Sequence, residues 1–228
     1  MERPSPSLVD SKAKIGNRKT LAYILGALRD GTFIKNEKYH VYRIRFYQKN
    51  KEWLLRLSQI LFRYFGKMPR LLIDKRDNVW QLVIDSKKIF EYLQTTGEYP
   101  GNQRQWRIPK WIIQGGKETQ KGYVKGFFDS EGGIPHFEKG AIKPKNAKIY
   151  FAQASKECLQ DLKVILTELD FKTGMVSGPY YKKNYINPIF ALRIHGIGEM
   201  VKFSRRIGSM HPEKIRRFEI ASSLSETP

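Results

Sequence analysis

The sequence predicts an α+β fold: a pseudo-twofold tandem repeat of two αββαββα halves. Two four-stranded antiparallel sheets would form one saddle, with one helix from each half packed at the interface. Three observations predict it. The order helix, hairpin, helix, hairpin, helix can be read twice along the chain. Two apolar stretches, residues 21–31 and 122–133, each carry small residues four apart. Ala22/Gly26 and Gly122/Gly126 therefore share one helix face and let two backbones approach. Each stretch ends at a carboxylate followed by glycine, Asp30-Gly31 and Glu131-Gly132, and the two acids lie 101 residues apart.

Residues 1–19, with Pro4, Pro6 and several Ser, Lys and Arg, read as a flexible N-terminal arm. Residues 20–95 form the first repeat. Thr20 is positioned to cap a helix running to Arg29. A short strand over 32–36 follows, and then a strand over 39–48 that alternates. Tyr42, Ile44 and Phe46 fall on one face, and Arg43, Arg45 and Tyr47 on the other. Residues 51–66 read as a helix with Trp53, Leu54, Leu57, Ile60, Leu61 and Phe65 as its apolar stripe, ended by Gly66. Strands over 70–74 and 79–84 flank the turn Arg76-Asp77-Asn78, and Ser86 caps a helix to residue 94. Residues 96–118, with Gly97, Pro100, Gly101, Pro109, Gly115 and Gly116, read as a linker.

Residues 119–218 repeat the order. A helix over 122–131 is followed by strands over 133–137 and 147–153, the latter with Ile149 and Phe151 inward, Lys148 and Tyr150 outward. Ser155 caps a helix to Leu169, carrying Cys158, Leu159, Leu162, Ile165 and Leu166 inward. Strands over 173–180 and 185–194 follow, joined by the basic turn Lys182-Lys183-Asn184. The last predicted helix spans 198–207, and residues 219–228 read as a loose tail.

With 42 Lys+Arg against 22 Asp+Glu, the chain carries a formal charge of +20, which fits a polyanionic partner. The basic residues are spread along the chain, which favours nucleic acid over a membrane surface. No apolar run approaches the roughly 18 residues of a membrane span, and the N-terminus lacks an apolar signal core. Cys158 is the sole cysteine, so the chain has no internal disulfide and no cysteine-cluster zinc site. A cytoplasmic location is expected. His40, His136, His195 and His211 are scattered, and no Walker-type phosphate loop is present. The polar strand faces and turns assign Arg43, Arg45, Tyr47, Lys49, Lys75, Arg76, Lys148, Tyr150, Lys182, Lys183 and Arg193 to DNA binding. Arginine and lysine there can contact phosphates and read guanine edges.

A helix C-terminus carries partial negative charge, so a carboxylate there is unfavourable, and two such ends that meet repel. A hard cation reverses both effects, with carboxylate and backbone carbonyl oxygens as ligands. One such motif alone would be read as a core helix with a surface acid; its occurrence in two similar halves points to a divalent-metal site. The ligands assigned are the Asp30 and Glu131 carboxylates, with the carbonyls of Arg29 and Ser130 as further candidates.

These residues resemble the LAGLIDADG homing endonuclease family in its single-chain, two-repeat, archaeal intron-encoded form. The resemblance runs from Thr20 to Phe218. The second motif follows the family pattern, and the first is one residue shorter between Gly26 and Asp30 than the second between Gly126 and Glu131. The resemblance implies a monomeric, site-specific double-strand DNA endonuclease using Mg²⁺, with Mn²⁺ or Ca²⁺ able to occupy the same site. It further implies that Gln48 and Gln153, at the ends of equivalent strands, order water. Lys110, in Trp106–Trp111, and Lys214, in Phe203–Lys214, would be the basic residues near the scissile phosphates. The competing reading is a non-cleaving nucleic-acid-binding protein on the same scaffold, either a maturase acting on intron RNA or a DNA-binding regulator.

Overall fold

A computed structural model describes residues 11–75, 77–100, 102–135, 147–181 and 187–226. Two helices, α1 (Ser11–Ala27) and α5 (Lys117–Glu131), pack along each other at its centre. Their small residues explain the packing. A Cβ on Gly26 would strike the Tyr123 carbonyl oxygen, and one on Gly126 would strike the Tyr23 carbonyl oxygen. Only glycine lets the two backbones come this close. Lys19, midway along α1, reaches Glu118 in the first turn of α5 at 2.5 Å, and Lys121 joins from the same helix as Glu118.

In the first half, α1 leads through a 3₁₀ turn (Leu28–Asp30) into β1 (Gly31–Asn36) and β2 (Val41–Gln48). Helix α2 (Lys51–Phe65), capped by Asn50 and closed by a left-handed Gly66, precedes β3 (Arg70–Asp74) and β4 (Val79–Asp85). Helix α3 (Lys87–Thr96), a 3₁₀ turn (Gln103–Gln105) and the short α4 (Lys110–Ile113) complete it. The second half runs α5, β5 (Gly132–Gly133), β6 (Lys148–Gln153), α6 (Lys156–Glu168), β7 (Ser177–Tyr180), β8 (Ile189–His195), α7 (Ile197–Arg206) and α8 (Pro212–Glu226). The strand orders are β1-β2-β4-β3 and β5-β6-β8-β7. Registers repeat as well. Gly31 faces Phe46 as Gly132 faces Phe151, and Gln48 pairs with Trp80 as Gln153 pairs with Phe190.

The alternation read from the sequence sets the two faces of each sheet. Ile44, Phe46, Leu82 and Ile84 of one sheet, and Ile149, Phe151, Leu192 and Ile194 of the other, are buried under the helices. The opposite faces carry Arg43, Arg45 and Tyr47, and Lys148, Tyr150 and Arg193.

The structure departs from the sequence reading in four places. Helix α1 begins at Ser11, not Thr20, so residues 11–19 of the expected arm are helical; Ala13, Lys12, Lys14 and Arg18 are good helix formers. Helix α5 likewise starts five residues early, at Lys117, on Gly116. The expected linker is packed rather than loose: Tyr99, Trp106, Ile108 and Ile112 are buried in the common core. The expected tail belongs to α8, which starts on a proline suited to a first helical turn and buries Phe218 and Ala221. Residues 136 and 137 of the expected fifth strand, residues 1–10 of the arm and residues 227–228 of the tail lie outside the described residues. So do Arg76, Lys182 and Lys183.

Candidate active site

The two motif ends meet. Asp30 closes the 3₁₀ turn after α1, and Glu131 is the last residue of α5. Both are half-buried. Burial raises the Asp30 carboxyl to about 7, against the pull of the Lys214 charge. Burial raises Glu131 to about 8; the neighbouring Asp30 charge adds to this and Lys214 opposes it. The Asp30 charge acting on Glu131 puts the two acids close to one another.

Local geometry explains how a shorter first motif still reaches its partner. From Gly26 to Asp30 the chain has one residue fewer than from Gly126 to Glu131. The last three residues of the first motif are 3₁₀, whereas the second stays α-helical. Three 3₁₀ residues advance about 6 Å, as four α-helical residues do. The stretched turn makes up the missing residue.

Lys214 is brought to the acids and is buried. Its ammonium donates to the carbonyls of Phe128 (2.5 Å) and Asp129 (2.8 Å). Burial lowers it to about 8 against the charges of Asp129, Glu131 and Asp30. Lys110 is different. It opens α4 and is exposed, and it is not among the groups acting on either acid. Pro109 and Pro212 both stand just before or at the start of these helices. Counted from them, Lys110 takes the place of exposed Glu213, not of Lys214. Lys110 thus stands one residue earlier in helical phase than Lys214 and faces solvent.

Arg29 and Ser130 precede the acids. The Ser130 hydroxyl donates to the carbonyls of Phe127 (3.2 Å) and of Gly26 in the other motif (3.3 Å). Gln48 and Gln153 end their strands on the helix-covered side. Each side-chain oxygen accepts the next backbone N–H, from Lys49 (2.9 Å) and Ala154 (2.8 Å). The Gln153 amide nitrogen is buried with no partner within the protein, a donor held ready.

On the open sheet faces, Arg43 pairs with Asp85 at 2.5 Å, and Arg70 binds the same carboxylate. The two arginines outweigh burial and hold Asp85 below its usual range. The Arg45 Nε is buried without a partner. Tyr47 shares a hydrogen bond with Thr32 (3.2 Å). Lys49, Lys75 and Lys148 are exposed. Tyr150 lies over Gly133, and Arg193 donates to Ser177 (2.6 Å) beside the Tyr180 ring.

Several site residues escaped the sequence reading. Asp129 is fully buried and accepts from the Tyr23 hydroxyl (2.8 Å), the Met210 N–H (2.9 Å) and the Ser209 hydroxyl. Tyr23 also receives the Trp53 indole N–H at 3.1 Å. Tyr23 and Tyr123 stand at the same place in the two motifs, three residues before Gly26 and Gly126, and that repeat could have marked them.

The donor set fits a hard divalent cation. Two carboxylates raised by burial, Glu131 also by the Asp30 charge, sit with backbone carbonyls where the two motifs end, all oxygen ligands. Among the described residues no group of three or more His, Cys, Asp or Glu could hold a metal, so water and a bound phosphate would complete the shell. Among the same residues no helix is long and apolar enough to cross a membrane.

Comparison with known proteins agrees with this architecture. Residues 118–208 match the model of the LAGLIDADG-like domain. The chain is 27% identical over 201 residues to the homing endonuclease I-ApeI of Aeropyrum pernix, covering 86% of this chain and 84% of that protein. The crystal structure of I-DmoI in complex with DNA and Mn superposes with a TM-score of 0.60 at 19% identity, covering 86% of this chain and 99% of that one. The N-terminal LAGLIDADG domain of DUF199/WhiA gives 0.55 at 12% identity, over 92% and 99%.

Proposed function

We infer that this chain, which belongs to the single-chain, two-repeat LAGLIDADG proteins, is a site-specific double-strand DNA endonuclease that works as a monomer with Mg²⁺. The observation that carries the reading is the convergence of Asp30, Glu131 and Lys214 where the two motif helices end. The Asp30 and Glu131 carboxylates would hold the metal, with the carbonyls of Arg29 and Ser130. Mg²⁺ suits the set because it binds through one or two carboxylates and keeps several waters. Mn²⁺ and Ca²⁺ would enter the same place.

A divalent ion there supplies charge neutralisation at the scissile phosphate and a water of lowered pKa. The chain's own residues do the rest. The sheet faces with Arg43, Arg45, Lys148 and Arg193 meet the duplex and fix its register through phosphates and base edges. Gln153, through its unpaired amide N–H, and Gln48 in the other half orient water. Lys214 holds its positive charge against the helix end and stabilises charge developing at phosphorus. A duplex read by two unlike sheets suits an asymmetric target, as a homing site within a host gene would be.

The test uses a plasmid carrying the uninterrupted host sequence around the gene for this chain. Linearisation in Mg²⁺ is expected, with Asp30→Asn and Glu131→Gln each retaining binding in Ca²⁺ and losing cleavage. Undiminished cutting by both variants would refute the assignment. Binding without any cut by the unaltered protein would favour the regulator or maturase reading.

A further inference from the structure

The first half of the site holds a charge that the chemistry above leaves unused. The Arg29 side chain is 1% exposed. Its Nε donates to the Tyr123 hydroxyl at 2.5 Å, and an Nη donates to the Arg107 carbonyl at 2.7 Å. The guanidinium lies over the rings of Tyr99, Trp106, Tyr123 and Phe127, with centroids 5.2 to 6.0 Å away. Among the described residues the charges that act on it most are those of Cys158, Tyr123 and Tyr99, and its second Nη is buried without a partner. Taking a guanidinium out of water costs several kcal/mol, and arginine cannot shed its proton to avoid that cost. A purely apolar side chain would fill this box more cheaply, so the place of Arg29 in the chain matters.

Arg29 is the middle residue of the 3₁₀ turn that ends in Asp30. Such turns have poorer hydrogen-bond geometry than α-helix. This one is also stretched to make up a missing residue. Something outside the turn has to hold it extended, and the guanidinium is tied to two elements that do not belong to it. One is Tyr123, from the opposite motif helix. The other is the packed segment before α4. That segment is itself latched: Arg107 donates twice to Asp161 of α6, at 2.7 and 2.6 Å, and the Ile108 N–H joins at 3.1 Å. The second motif, which stays α-helical, has Asp129 and not a cation in its box.

We propose that Arg29 is a positioning residue for metal coordination by Asp30, clamping the stretched turn to Tyr123 and to the segment latched by Asp161. The proposal rests on reading Asp30 and Glu131 as metal ligands. It extends the first half of the site to Tyr99, Trp106, Arg107 and Asp161 of α6.

The test is Mn²⁺ binding by the full-length protein, followed by the electron-spin signal of free Mn²⁺, with thermal unfolding in parallel. Asp30→Asn serves as the reference for a lost ligand. Arg29→Met is expected to weaken Mn²⁺ binding by about tenfold or more, the range for losing a group that orients a metal ligand. Tyr123→Phe removes one hydroxyl, keeps the ring, and should weaken binding by a smaller factor, with a lowered unfolding midpoint because the Arg29 Nε–H loses its acceptor. Because Arg29→Met empties a charged box and can unfold the chain, Tyr123→Phe carries the test alone in that event. Weakened binding in Asp30→Asn with wild-type binding in Tyr123→Phe and in folded Arg29→Met would overturn the clamp and leave the ligands standing. Equal binding by wild type and Asp30→Asn would overturn both.

Discussion

At the end of α1 the charged residue tied to the opposite motif's tyrosine is Arg29; at the end of α5 it is Asp129. The two boxes are built alike. Tyr123 and Tyr23 reach across the helix interface, and the segments before α4 and α8 close each box from outside. The chemistry inside is of opposite sign. Asp129 collects three donors and fixes the segment that carries Lys214. Arg29 collects acceptors and fixes a turn that would otherwise be one residue short. Repeated backbones can thus keep their symmetry while their buried charges diverge, and each half then depends on a different set of residues.

Substitutions that act on one half only would sharpen this contrast. The largest effect is expected from Lys214→Met, which removes the buried cation from the acids. Cleavage should fall on the order of a hundredfold, the scale for losing one preorganised charge stabiliser. Since Lys214 lowers the pKa of Asp30 and Glu131, its loss should also move the alkaline-rising limb of the cleavage profile to higher pH. Lys110→Met, on exposed α4, should change neither. Asp129→Ala leaves the Tyr23, Ser209 and Met210 donors without an acceptor, and should lower stability by about 3 kcal/mol in urea unfolding. Gly126→Ala drives a Cβ into the Tyr23 carbonyl and should cost about 2 kcal/mol or more. Asp161→Asn keeps the size of a buried side chain but weakens its bonds to exposed Arg107, and should cost about 1 kcal/mol.

The pH dependence of stability separates the acids from the rest. Burial raises Asp30 and Glu131 above their unfolded values, so the folded chain holds the extra protons. Without metal, the stability these two acids contribute should therefore be full below their unfolded pKa of about 4 and be lost as pH rises toward about 8, while buried His211, lowered to about 3, contributes the opposite slope below about 6.5. The Asp30→Asn, Glu131→Gln double variant should lose that slope, and adding Mg²⁺ to the unaltered protein should flatten it. An identical slope in both proteins would show that neither acid is buried as described.

Most of the fold was legible because it rests on short-range pattern. Alternation in residues 41–48 and 148–153, caps at Ser86 and Ser155, and the small residues four apart each act locally, and the alternation and the small pair occur in both halves. The acids were legible for the same reason, with glycine following each. What stayed hidden depends on tertiary packing. Residues 96–118 carry Pro and Gly and look like a linker, yet Trp106 and Ile108 are buried, the Trp106 carbonyl accepting from Ser155 and the Ile108 N–H donating to Asp161 of α6. Lys110 and Lys214 look equivalent in their local sequence, and only helical phase separates them. The role of Asp129 requires Ser209 and Met210, some eighty residues away.

Crystals of the protein with its target duplex and Mn²⁺ would address the shared site most directly, through anomalous scattering from the metal. Peaks in contact with both the Asp30 and Glu131 carboxylates, against a scissile phosphate, are expected. Metal bound elsewhere, or touching one acid while the other stays protonated and apart, would contradict a single centre assembled from the two halves.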